Sequence, residues 1–145
     1  MSLLVLPAPA TVTMTHGGTY ANATNRRPTI EVDLAATSPS GVLLGTARTS
    51  VLIDSGADVT MLNSAHALTL GVDLSVCPIV QIGGIGGNVS GRRTTVKMHL
   101  CGRWVDVLVD FVPGQNPQLL GREGAFDALL VTFAHRFSVV FAAQS

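Results

Sequence analysis

Apolar residues in this chain recur at every second position over long stretches. Residues 29–34, TIEVDL, alternate cleanly. Ile30, Val32 and Leu34 would share one face and Glu31 and Asp33 the other, as in a half-buried strand. A turn at residues 37–41, TSPSG, returns the chain into residues 42–47, VLLGTA. Residues 49–53 are more continuously apolar, which predicts a strand buried on both faces. Residues 78–82 and 92–100 flank a glycine-rich tip at 83–91 and read as one long hairpin. Cys101-Gly102 then turns the chain into a strand over residues 103–112, and residues 136–142 close it as another. A further short strand is expected at 59–62, and residues 118–121, QLLG, are another apolar run into a glycine. Helical signals are few. Residues 63–71 allow one turn ending at Gly71, and residues 122–130 are the better helix candidate. The expected fold is mainly β, a closed barrel or sandwich with one short C-terminal helix and a β-hairpin flap.

A length of 145 residues suits a single domain. Residues 1–27 are rich in Pro, Gly, Ala, Thr and Asn and predict a flexible or loosely docked arm, with a short strand at Thr11–Thr15. The packed domain would span residues 28–145. Only 12% of residues are charged and the formal net charge is zero, so no electrostatic footprint for nucleic acid is present. The apolar start, MSLLVLP, is short and lacks a basic n-region, which argues against a signal peptide. No apolar run reaches membrane-spanning length. With 47% hydrophobic residues and so little charge, some apolar surface is expected to meet a partner, first of all a second copy of the chain. Cys77 and Cys101 lack a zinc or disulfide-framework pattern and read as two reduced thiols. His16, His66, His99 and His135 share no ligand spacing, so neither metal nor cofactor is expected. A cytoplasmic or otherwise intracellular setting follows, or a virion if the gene is viral.

The chemistry concentrates where residues 51–53, VLI, run straight into Asp54-Ser55-Gly56. A carboxylate at the end of an apolar strand is costly unless paired or neutralised. Two adjacent carboxyl groups sharing one proton can deprotonate water and protonate a peptide carbonyl together. Ser55 would supply a hydroxyl that locks the loop, and Gly56 a close turn open to a substrate backbone. The chain carries a single Asp-Ser/Thr-Gly. The second carboxylate must then come from another copy, which a two-fold dimer would place beside the first. Asp33, Asp106 and Asp110 lie on strands without a following glycine and are poor catalytic candidates. Arg92 and Arg93 read as solvated residues, with substrate contact as the lesser alternative, and Trp104 as a packing residue on its strand. The glycine cluster lacks the Gly-Lys-Ser/Thr ending of a phosphate-binding loop.

Residues 54–58, DSGAD, resemble the active-site loop of the retropepsins, the retroviral-type aspartic proteases. Residues 82–87, IGGIGG, are similar to the glycine-rich flap of the lentiviral members. Cys101-Gly102 before an apolar strand, and residues 119–122, LLGR, resemble further segments of the family in the same order. The resemblance covers roughly residues 28–142. It implies a catalytic Asp54, with Ser55, Gly56 and Ala57 supporting the loop. Gly56, Asp58, Ile82, Gly83, Gly84, Ile85, Gly86 and Gly87 would bind substrate backbone, and Asp58 would also form a structural ion pair with Arg122. It further implies a homodimer that hydrolyses peptides or proteins, its own precursor among them, without metal or organic cofactor.

Departures from the family pattern shape the expectation. Val59 stands where many lentiviral members carry another acid, which predicts a different substrate preference. Ala57 offers no hydroxyl to an ionised dyad, which predicts a pH optimum nearer weakly acid than strongly acid. The N-terminal arm has no counterpart in the family. Two alternatives remain open at this level: a catalytically silent dimerisation and peptide-binding module, and one half of a fused two-lobe enzyme.

Overall fold

The structure, a computed structural model, describes residues 16–19, 27–84, 86–114, 116–134 and 138–143. Its architecture is mainly β, as the alternation predicts. The strands are β1 (His16–Thr19), β2 (Thr29–Thr37), β3 (Leu43–Ile53), β4 (Thr60–Asn63), β5 (Ile79–Gly84), β6 (Gly87–Leu100), β7 (Arg103–Val112), β8 (Leu119–Leu120), β9 (Leu129–Ala134) and β10 (Ser138–Ala143). Seven of them form one sheet in the order β2-β3-β8-β4-β7-β6-β5, and a further β2–β6 pairing bends it into a ring. The other three form a small antiparallel sheet, β1-β10-β9. The strand expected at Thr11–Thr15 lies outside the described residues.

The 14-residue β6 makes the ring possible. Its first half pairs with β5 to form the hairpin, for example Ile82 opposite Val89. Its second half pairs with β2, with Leu34 opposite Met98. Alternate residues therefore face a common interior. Leu34, Leu62, Leu70, Met98, Phe111 and Leu120 are each fully buried there. Burying one such side chain is worth about 1.5–3 kcal/mol relative to leaving it exposed. Segment 49–53 is not buried on both faces: Val51 and Ile53 point inward while Leu52 is half-buried. Segments 42–47 and 49–53 are also continuous, one strand rather than two.

The helix is elsewhere than expected. A six-residue helix, α1 (Ala65–Leu70), fills the weaker of the two candidate segments and ends on left-handed Gly71. Residues 122–125 are turns, followed by a single 3₁₀ turn at Phe126–Ala128. Gly124 explains this outcome. Its φ is +80°, outside the helical region, and a Cβ there would lie 2.4 Å from the Asp106 carbonyl oxygen. The chain must turn closely against β7 at Gly124, so a helix cannot run through it.

The reading of Trp104 shifts, and that of the cysteines does not. Trp104 is half exposed, and its ring tilts against His99 across the β6–β7 pair with centroids 5.1 Å apart. Both cysteines are free and half-buried, and burial pushes the Cys101 thiol above its ordinary pKa.

Candidate active site

The Asp54 loop is mounted on a parallel strand pair. β3 lies beside β8, with Leu52 opposite Leu119 and Ile53 opposite Leu120. The Asp54 N–H donates to the Leu120 carbonyl at 3.1 Å, so the pairing continues into the loop. Beyond it the chain turns: the Ala57 N–H donates to the Asp54 carbonyl at 3.1 Å. The Gly56 N–H donates to Asp54 Oδ1 at 2.9 Å, which fixes the carboxylate against its own loop. Asp54 is half-buried, whereas Ser55 and Gly56 are exposed.

The segment after β8 grips the same loop from below. The Arg122 N–H donates to the Ala57 carbonyl and the Glu123 N–H to the Asp58 carbonyl, each at 2.9 Å. The Arg122 guanidinium pairs with the Asp58 carboxylate. The Gly121 N–H donates at 3.0 Å to Oγ1 of Thr60, a hydroxyl with no solvent exposure. Gly121 lies so close that a Cβ would fall 2.4 Å from the Val59 carbonyl carbon. Only a glycine fits that approach.

The loop forms one wall of a groove of about 790 Å³. The β5–β6 hairpin lines the same groove through Ile82, Gly83, Gly84, Gly86 and Gly87. Ile85, expected among the substrate-binding residues, lies outside the described residues. Gly56, Ala57 and Asp58 line the groove beside Asp54. Arg122 does not line it and acts on it through Asp58.

Sequence reasoning missed a second charged pair in the same groove. It joins Arg93, expected to be solvated with substrate contact as the lesser alternative, to Asp110, expected only to be a poor catalytic candidate. Arg93 Nε donates to Asp110 Oδ1 at 2.7 Å and Nη2 to Oδ2 at 2.9 Å, a two-pronged bond. The Asp110 side chain retains 5% of its exposure and that of Arg93 37%. The bond raises the Arg93 pKa above its ordinary value. Only the β6–β7 register, which sets Arg93 opposite Asp110, reveals the pair. Among the described residues, no group of three His, Cys, Asp or Glu is placed to hold a metal ion. No helix among them is long and apolar enough to cross a membrane.

A strand-borne Asp-Ser-Gly loop and a glycine-rich hairpin thus line one groove on a mainly β ring. A family model described as aspartyl protease matches residues 40–123, more than half of the chain. The protein belongs to the aspartyl protease family. No curated protein matches it.

Proposed function

We propose that the chain is an aspartic endopeptidase of the retropepsin type, which completes its active site by homodimerisation. One observation carries this reading. Three aspartates line the groove, namely Asp54, Asp58 and Asp110. Asp58 is paired with Arg122 and Asp110 with Arg93. Asp54 alone has no ion-pair partner among the described residues. Neither paired carboxylate is free to share a proton with Asp54, so a second copy of the chain is the source of its partner. The exposed Ser55, whose hydroxyl has no hydrogen bond among the described residues, is available to bond across the two-fold axis.

In the dimer the two Asp54 carboxyl groups share one proton, because like charges so close do not both ionise. The ionised group takes a proton from water as the water oxygen attacks the scissile carbonyl carbon. The protonated group gives its proton to the carbonyl oxygen, leaving a neutral tetrahedral diol. Collapse of the diol breaks the C–N bond as the carboxyl group that took the water proton gives it to the amine nitrogen and a diol hydroxyl passes its proton to the other carboxylate, so the carboxyl and amine products leave and the dyad again shares one proton. The Gly56 carbonyl and Asp58 hold the substrate backbone from one side. The N–H groups of the Gly83–Gly87 hairpin hold it from the other. The substrate is a peptide or protein in extended form.

The test is cleavage of a peptide library by wild-type protein and by Asp54→Asn, with size-exclusion chromatography of both. Cleavage by the wild type that is lost in the variant, with the dimer retained, is the expected outcome. Undiminished cleavage by Asp54→Asn, or full activity in a strictly monomeric fraction, would overturn the reading.

A further inference from the structure

Strand register places four groove residues in one row across four strands. Leu119 of β8 lies opposite Met61 of β4. Met61 lies opposite Asp110 of β7, and Asp110 lies opposite Arg93 of β6. All four line the groove beside Asp54. The row is apolar at one end and ends in the two-pronged Arg93–Asp110 pair, whose carboxylate is buried and whose guanidinium is partly exposed. Stability does not account for such a pair, because well-packed apolar residues of similar volume generally hold a fold as well or better.

The pair uses two of the three guanidinium nitrogens, Nε and Nη2. The third, Nη1, makes no hydrogen bond among the described residues, and an arginine that is already fixed presents it with little further loss of side-chain freedom. Arg93 and Asp110 together carry no net charge. The donor edge they offer therefore suits an uncharged acceptor. A carboxylate entering here would meet the single negative charge that the proton-sharing Asp54 pair carries, with no surplus positive charge to receive it.

We propose that this row is a specificity subsite for a glutamine-like substrate side chain, a reading that rests on the peptide-cleaving role of the groove. The methylene stem lies along Leu119 and Met61, and the amide oxygen accepts a hydrogen bond from Arg93 Nη1. Asp110 is a positioning residue: it holds the guanidinium in place. A substrate with leucine at that position leaves the donor unpaired, and one with glutamate adds an uncompensated charge.

Removing Arg93 alone would leave Asp110 buried and unpaired, so the test uses the paired apolar variant Arg93→Met with Asp110→Leu, beside Arg93→Lys. Peptides identical except for Gln, Leu or Glu at each position in turn are measured in two ways. The first is kcat/KM with the active protein. The second is binding to the same set in the Asp54→Asn background, read by calorimetry, which does not require cleavage. One position is expected to prefer Gln over both Leu and Glu. That preference is expected to fall by about ten- to a hundredfold in the paired variant, the size of one lost hydrogen bond to a charged donor, with the melting temperature little changed. Cleavage with an unaltered Gln preference in the paired variant overturns the subsite and leaves the protease reading intact. A Gln preference in binding that the paired variant loses, in a protein that cleaves nothing, upholds the subsite and overturns the protease reading. Absence of any Gln preference in the wild type overturns the subsite.

Discussion

Arg122 pairs with Asp58 through its guanidinium, while the Arg122 N–H donates to the Ala57 carbonyl and the Glu123 N–H to the Asp58 carbonyl, so that one segment holds the loop by side chain and by backbone. The side chains are largely exposed, at 54% for Arg122 and 74% for Asp58. Their ion pair therefore contributes about 1 kcal/mol or less to stability. Its effect on geometry is larger, because Asp58 is four residues from Asp54 on the same loop. Arg122→Met is expected to lower kcat/KM by roughly tenfold or more through loss of positioning, with unfolding free energy changed by no more than about 1 kcal/mol. Paired kinetics and urea unfolding check this. A collapse of stability with normal activity in the surviving fold would contradict it.

Gly121 and Gly84 make a sharper contrast. A Cβ on Gly121 would collide with the Val59 carbonyl carbon at 2.4 Å, whereas one on Gly84 would meet nothing within 4 Å. Gly121→Ala must push the β8 end away from the Asp54 loop. It is expected to cost about 3 kcal/mol or more, at the upper end of overpacking penalties. Gly84→Ala is expected to leave stability within about 0.5 kcal/mol, as surface substitutions do, while altering peptide cleavage through the hairpin wall. Urea midpoints of the two variants decide the matter, and equal destabilisation would count against the close approach at Gly121.

The different visibility of these features in the sequence has a physical origin. Features written in consecutive residues could be read directly. The period-two pattern gave the β class, and the segment Leu119-Leu120-Gly121-Arg122 could be marked out without knowing what it touches. Features that depend on what lies across the sheet could not. Residues 122–130 have helical composition, but Gly124 must approach the Asp106 carbonyl, and that contact decides the local conformation. Arg93 and Asp110 are 17 residues apart, and nothing local separates Arg93 from the neighbouring Arg92. Arg92 reaches the Cys77 carbonyl at 2.9 Å, while Arg93 reaches a buried carboxylate. Alternation along β6 sends the two arginines to opposite faces, and only the register says which face holds an acid.

Acid should weaken the fold through identifiable carboxylates. The Arg48 guanidinium donates to Asp33 and holds its pKa below the ordinary value of 3.8. The hydroxyl and N–H of Ser75 do the same for Asp73. A group whose folded pKa is lowered contributes stability that is fully present above its unfolded value and is lost as pH falls through the folded one. Both carboxylates are exposed, so each contribution is small. The melting temperature is expected to be flat from pH 7 to about 5 and to fall below about pH 4. Arg48→Met should make that fall shallower. A melting temperature that stays constant or rises between about pH 5 and pH 3 would be inconsistent with these bonds.

The source of the second carboxylate can be read from mixed dimers. If each active site needs Asp54 from two chains, a variant subunit spoils every dimer it enters. Wild-type and Asp54→Asn chains, unfolded together at equal concentration and refolded, pair at random. About one quarter of the dimers then hold two native Asp54 residues, so activity per total chain should fall to about a quarter of the all-wild-type value. Independent single-chain sites would leave about half under the same mixing. The same dependence should appear on dilution, with specific activity falling as dimers dissociate, whereas a self-sufficient chain keeps constant specific activity. The mixing ratio tests the shared site without relying on the size of the complex. A dimer that kept one complete site per chain would run at the same size on a column and still retain half its activity.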